Sequence, residues 1–178
     1  DKFSPNAQAT RGMIVTVLFR CAEEQLRMES GELRIGDASH TDEKPAERFE
    51  DVLLGKYYSD AVAWAAENEI VGGVGGGRFA PDANITRQDL AVILTRYAEY
   101  KGLPLAALRE YAAFSDDNAV SDYARAAVEA CYRAGIISGK PNNLFDPKGE
   151  ATRAEVAAML HRFILAMAGD VEPDEEEA

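Results

Sequence analysis

The sequence predicts an all-α protein assembled from repeated helix–loop–helix units. The first observation is a pattern, F-x-P-x4-T-R-x6-L-x-R, running from Phe3 to Arg20, from Phe79 to Arg96 and from Phe145 to Arg162. Identities at fixed spacing in three copies mark a duplicated structural unit. The second is apolar residues at helical spacing after each T-R pair: Ile14, Leu18 and Cys21, then Leu90, Ile93, Leu94 and Tyr97, then Val156, Leu160, Phe163 and Ile164. The third is a capping signal at the head of each run. Thr86 and Thr152 are good N-caps, and Asp89 and Glu155 follow three residues on. Thr152 and Glu155 make a T-x-x-E capping box, Asp89 is a shorter version, and Met13 offers Thr10 no reciprocal carboxylate.

The repeat extends upstream of the second and third copies. Ile70-Val-Gly-Gly73 matches Ile136-Ile-Ser-Gly139. Tyr57, Ala61, Val62 and Ala65 match Tyr123, Ala127, Val128 and Cys131, and Phe49-Glu-Asp51 matches Phe114-Ser-Asp116. Ser59 or Asp60 can start a helix towards Asn68, and Ser121 or Asp122 its equivalent, which Gly135 ends in a left-handed cap. The unit is thus F-x-D, a short Ala-rich helix, an I-x-x-G turn, a loop to F-x-P, and a T-R helix. One unit has too little apolar surface to fold alone, whereas three sharing helix faces can build a common core. The first copy holds only the second half, read as a maturation boundary with a truly incomplete repeat as the alternative.

The chain divides accordingly. Residues 1–24 are the second half of the first repeat, 25–48 an exposed charged insert with Gly31, Gly36 and Pro45, and 49–102 the second repeat. Gly102-Leu-Pro104 opens a linker at 103–113 that is expected to hold a short helix, 114–168 is the third repeat, and 169–178 is a solvated acidic tail.

This unit resembles the S-layer homology domain, which anchors proteins to bacterial cell surfaces. The residues that carry the resemblance are Asn84-Ile-Thr-Arg-Gln-Asp89 and Glu150-Ala-Thr-Arg-Ala-Glu155, matching the family's I-T-R-A-E, and Gly135-Ile-Ile-Ser-Gly139, matching its turn. There are departures: Tyr57 and Tyr123 stand where the family prefers Trp, Glu69 replaces the turn glycine, and Met13 replaces the motif's glutamate. The resemblance implies a pseudo-threefold arrangement of three repeats around a central three-helix bundle, with grooves between lobes. It also implies an extracellular place at the cell wall, a secondary cell-wall polysaccharide as partner, and a fused cargo domain outside this sequence.

Composition limits other functions. The net charge of −12 argues against nucleic acid as main partner and against adsorption to anionic surfaces. No apolar run approaches the roughly 20 residues that span a bilayer, so membrane insertion is not expected. Cys21 and Cys131 read as buried free thiols. The loop Gly72-Gly-Val-Gly-Gly-Gly77 lacks the Lys-Ser/Thr of a phosphate loop, and the third repeat spans the same distance with Ser138-Gly-Lys-Pro-Asn-Asn143. Asp82 to Asp89 lacks the alternating oxygen ligands and central glycine of a calcium loop. Only His40, His161 and two separated cysteines are available to zinc. No metal or cofactor is expected. No catalytic constellation repeats or converges, so no enzyme is expected here.

The arginines carry the candidate chemistry. Arg11, Arg87 and Arg153 stand in the first turn of a helix, where the macrodipole disfavours a cation. A guanidinium beside free backbone N–H groups makes an anion site, and a planar carboxylate suits its two-pronged geometry. The alternative is an internal pair with Asp51, Asp116, Asp89 or Glu155 that locks repeat to repeat. The resemblance implies the ligand role, because the matching family arginine contacts a pyruvylated sugar. Gly73 and Gly139, Asp51 and Asp116, and Tyr57 and Tyr123 complete the candidate groove, with turn-forming and packing roles open for the aspartates and tyrosines. Trp64, matched by Ala130, is read as a helix packing residue before a sugar platform.

Overall fold

The computed structural model describes residues 4–30 and 49–169. Phe3, the insert from 31 to 48 with His40, and the acidic tail from 170 lie outside the described residues. The secondary structure is helical, as expected: α1 (Arg11–Ser30), α2 (Ser59–Glu67), α3 (Arg87–Tyr100), α4 (Arg125–Arg133) and α5 (Arg153–Ala168). Among the described residues no strand forms, and extended backbone meets only in isolated bridges such as Gln8 with Thr152 and Thr86 with Glu150.

The T-R helices begin where their caps require. Thr86 accepts from the Asp89 N–H, and Thr152 with Glu155 forms the full reciprocal box. Thr10 accepts from the Met13 N–H at 3.3 Å with no returning carboxylate. The shorter helices start differently. Tyr58 and Ala124 are the N-caps of α2 and α4 and neither makes a side-chain cap, while a 3₁₀ turn at Asp122–Ala124 precedes α4. Ser59 Oγ instead donates back to the Leu53 carbonyl at 2.6 Å, closing the turn before α2.

Four expectations change. Helix α1 continues to Ser30, into the segment read as an insert. Residues 103–113 form no helix. Pro104 lacks an N–H and disfavours helical backbone at Leu103, and the strand-like chain docks on α4 instead. Leu108 N–H donates to the Arg133 carbonyl at 2.9 Å. Arg109 donates to the carbonyls of Tyr132 and Ile137, both at 2.8 Å. A cation at this helix C-terminus also complements the macrodipole. Cys21 is exposed on α1, whereas Cys131 is buried and burial pushes its thiol up to about 12. Ile164 is exposed, because the buried stripe of α5 runs through Val156, Met159 and Phe163, and position 164 lies about 100° round the helix from Phe163.

The chain packs as two compact units, residues 10–83 and residues 1–9 with 84–178. In the first, α1 packs on α2; in the second, α3 packs on α4 and α5. Packing is therefore offset from the sequence repeat. Each of these T-R helices lies against the short helix of the following copy. A repeat cannot bury its own long helix, so the neighbour supplies the second layer.

Inside the unit of 1–9 and 84–178, the residues preceding the three capping threonines form a closed ring of backbone hydrogen bonds. Ala9 N–H donates to Ala151 C=O at 3.0 Å, Ala151 N–H to Ile85 C=O at 2.9 Å, and Ile85 N–H to Ala9 C=O at 2.9 Å. All three residues are buried, so every one of these groups needs its partner.

The two short helices end alike in backbone and unlike in sequence. Gly135 follows α4 at φ 73° and Glu69 follows α2 at φ 58°. Glycine adopts this left-handed cap without a Cβ penalty and glutamate does not. Glu69→Gly is expected to stabilise the protein by about 0.5–1 kcal/mol, seen as a higher urea midpoint with an unchanged slope.

Candidate functional site

Two equivalent stations can be described, one in each unit. At each, the first turn of a T-R helix sits on the F-x-P loop of the next copy. Arg11 N–H donates to Ala83 C=O at 2.9 Å and Gly12 N–H to Pro81 C=O at 2.8 Å. Arg87 N–H donates to Gly149 C=O at 3.0 Å and Gln88 N–H to Pro147 C=O at 2.9 Å. Arg153 and Ala154 repeat the arrangement on Ala7 at 2.8 Å and Pro5 at 3.0 Å. The helix N–H groups that could have received an anion are thus partly used by protein carbonyls.

The arginine side chains are buried, 8% exposed at Arg11 and 5% at Arg87. Arg11 Nε donates to Phe79 C=O at 2.9 Å and Arg87 Nε to Phe145 C=O at 2.7 Å. Each guanidinium also lies over the ring of that same phenylalanine, at 4.7 Å for Arg11 and 5.3 Å for Arg87. Arg11 Nη2 reaches Gly72 C=O at 3.3 Å, and Arg87 Nη1 reaches Glu155 Oε1 at 3.0 Å. The internal pairing weighed for these arginines exists at Arg87, with Glu155 as partner. Its bonds use Nε on the Phe145 carbonyl and Nη1 on Glu155. Arg153 is half-buried, and Phe3, the phenylalanine of its station, lies outside the described residues.

The aspartates hold the loop that receives the arginine. Asp51 accepts from Phe79 N–H at 2.8 Å and Ala80 N–H at 2.7 Å, one on each carboxylate oxygen. Asp116 does the same for Phe145 N–H at 2.8 Å and Asp146 N–H at 2.7 Å. Ala80 and Asp146 both have left-handed backbone, at φ 58° and 56°. That conformation costs an L-residue roughly 1–2 kcal/mol, and two charge-assisted bonds offset it. The turn role left open for the aspartates is the one their geometry displays.

Gly73 and Gly139 serve close approach. A Cβ at Gly73 would lie 2.8 Å from Arg78 O and 3.0 Å from the Phe49 ring. At Gly139 it would lie 2.9 Å from the Phe114 ring, at φ 75°. Phe49 and Phe114 in turn meet Phe79 and Phe145 at 5.6 and 5.5 Å between centroids. F-x-D, I-x-x-G, F-x-P and T-R are therefore successive layers of one stack: phenylalanine on glycine, phenylalanine on phenylalanine, arginine on top.

The Arg87 station carries more charge. Lys140 Nζ lies 2.7 Å from Asp146 Oδ2 and 3.3 Å from Glu155 Oε1. Burial opposes ionisation of Glu155, but the Thr152 N–H, Arg87 and Lys140 outweigh it and hold its carboxyl below the usual carboxylate range. Burial pulls the Arg87 pKa down, against the opposing pull of Glu155, Asp146 and Asp116. Lys140 escaped the sequence reading because the matching loop position in the second repeat is Val74, so no repeat signal marked it.

The repeats that build these stations match a known family. The model of the S-layer homology domain matches residues 48–91 and 113–157. The chain belongs to the S-layer homology domain family. An amylopullulanase of Thermoanaerobacterium thermosulfurigenes is 33% identical over 92% of this chain and 8% of its own length. An exoglucanase of Acetivibrio thermocellus is 38% identical over 65% of this chain and 11% of its own length. The surface-layer 125 kDa protein of Lysinibacillus sphaericus is 31% identical over 65% of this chain and 10% of its own length. The chain thus spans about a tenth of the length of these relatives. Family and relatives together indicate a cell-surface anchoring module, and no helix among the described residues is long and apolar enough to cross a membrane.

The tyrosines standing at the S-layer homology tryptophan position are not core residues. Tyr57 is 56% exposed and Tyr123 61%. Tyr123 sits beside the first turn of α3, and Tyr57 packs on Tyr58, which itself lies against Gly12. Tyr123 donates to Asp89 Oδ1 at 2.6 Å and accepts from Gln88 Nε2 at 2.8 Å. Tyr57 packs edge-on against Tyr58, 5.0 Å away, and a Cβ at Gly12 would touch Tyr58 at 3.2 Å. Trp64 is half-buried against Phe19, 5.3 Å between centroids, in line with the packing role. The glycine-rich loop needs left-handed residues and not glycine as such. Gly75, Gly76 and Gly77 have positive φ, and Asn142 and Asn143 do the same work in the third repeat.

Asp116→Asn exchanges one acceptor oxygen for an amide that faces an N–H. It is expected to destabilise the protein by about 1.5–3 kcal/mol, measured by urea unfolding. Because the Glu155 carboxyl is held below its unfolded value, its stabilisation is in place above roughly pH 4.3 and is lost as pH falls through the folded value. Glu155→Gln is expected to flatten that part of the acid limb of stability against pH.

Proposed function

We propose that this chain anchors a larger protein to a bacterial cell wall by holding an anionic, ketal-pyruvylated secondary wall polysaccharide. Arg11, Arg87 and Arg153 receive the carboxylate, with Tyr57 and Tyr123 offering exposed ring faces beside the first and second of these. Asp51, Asp116, Gly73 and Gly139 shape the loops under the arginines. The observation that carries this reading is the posture of Arg87. Its Nε bond, its ring contact and its Glu155 pair fix the guanidinium plane, and an exposed tyrosine is pinned to the same helix turn. A preoriented donor loses little entropy on binding. The wall polymer and its pyruvate come from the family resemblance. In relatives named as glycosidases the rest of the chain would carry the catalysis, and this module would carry none.

The Arg87–Glu155 pair also favours a second reading, a protein-interaction or self-assembly module in which the arginines act only as latches. Binding of purified wall polysaccharide before and after removal of ketal pyruvate separates the two. Arg87→Lys keeps the charge and loses the fork, and is expected to weaken polysaccharide binding by about 1–3 kcal/mol. Arg87→Ala is expected to lose both affinity and thermal stability, since it also vacates the Phe145 carbonyl. A lowered Tm with unchanged affinity in both variants would leave the latch reading standing.

A further inference from the structure

Glu155 has two oxygens with separate tasks. Oε2 accepts from Thr152 N–H at 2.8 Å and completes the cap of α5. Oε1 lies between two cations, 3.0 Å from Arg87 Nη1 and 3.3 Å from Lys140 Nζ. An anion oxygen recognised by this station would take the same place. The local charges are Arg87 and Lys140 against Glu155, Asp146 and Asp116, a balance of one negative charge. Asp116 is committed to two backbone N–H groups and Asp146 Oδ2 to Lys140. The Glu155 side chain is 27% exposed, and swinging it outward leaves the Thr152 Oγ1 cap on Glu155 N–H intact. With Glu155 withdrawn, the balance is neutral and both cations face the vacated position.

We propose that Glu155 is a built-in counter-anion of the Arg87 station, displaced by the carboxylate of an incoming glycan, and that Lys140 is the second cation receiving that carboxylate. The proposal rests on Arg87 being a ligand arginine. It makes the stations unequal, because the matching loop position at the Arg11 station is Val74, 51% exposed.

The test uses a pyruvylated wall-polysaccharide fragment and the same fragment stripped of pyruvate, with affinity read at the amide resonances of Gly139 and Lys140. Glu155→Gln keeps a side chain able to complete the capping box. It is expected to bind the pyruvylated fragment on the order of tenfold tighter and the stripped fragment no differently. Lys140→Val, which copies the sister loop, is expected to weaken binding severalfold and to reduce its salt dependence. If Arg87→Lys or Arg87→Ala, checked for folding by Tm, binds as tightly as the wild type, the ligand reading of Arg87 falls and this proposal with it. If those variants lose binding while Glu155→Gln binds no tighter, the counter-anion role alone is overturned. If Lys140→Val binds as the wild type does, the second-cation role is overturned.

Discussion

A guanidinium seated on a phenylalanine ring, with its Nε on that phenylalanine's own carbonyl, is the contact on which the rest of each station depends. Arg11 makes it with Phe79 and Arg87 with Phe145. Arginine is suited to it because a planar, weakly hydrated cation can stack and donate at once. The contact joins the first turn of one T-R helix to the loop of the following copy. The partly used N–H groups of that turn donate to the same loop, and the F-x-D phenylalanine packs against the same ring. Each motif of the repeat is a part of this stack, which is why four short patterns recur together.

The loop is strained in a defined way and the strain is locally compensated. The residue inside F-x-P is left-handed in both described copies, and neither Ala80 nor Asp146 favours it. An aspartate some thirty positions earlier supplies two acceptors to two backbone N–H groups of that turn. A carboxylate is the one side chain that offers two acceptors and no donor. This accounts for aspartate in F-x-D without recourse to a ligand.

Duplication preserved this frame and let the charges on it diverge. The third repeat carries Lys140 and Glu155, where the second carries Val74 and Asp89 and the first carries Met13 at the acid position. Gln88 binds Ser121 and Tyr123, whereas Gly12 at the same motif position lets Tyr58 approach closely. The backbone of each station is the same construction with different side chains at its mouth. Such a chain can present unequal sites on equal scaffolds.

The repeat helices, the caps of the T-R helices and the family were legible in the sequence, because spacing, capping residues and repeated identities are local or periodic signals. So was the left-handed end of α4 at Gly135. What pairs with what was not legible. The offset of α1 onto α2 and of α3 onto α4, the backbone ring through Ala9, Ile85 and Ala151, and the aspartate clamp all join residues distant in sequence. The linker shows the same limit: its residues allow a helix, but Arg109 gains more from the free carbonyls at the end of α4. Sequence alone settled the helices of the repeats, since helix formation responds to neighbours three and four residues away. Tertiary structure alone decided that Arg11 and Arg87 turn inward onto phenylalanine carbonyls, because only the folded chain brings a buried acceptor within reach of a cation that periodicity leaves free to face either way.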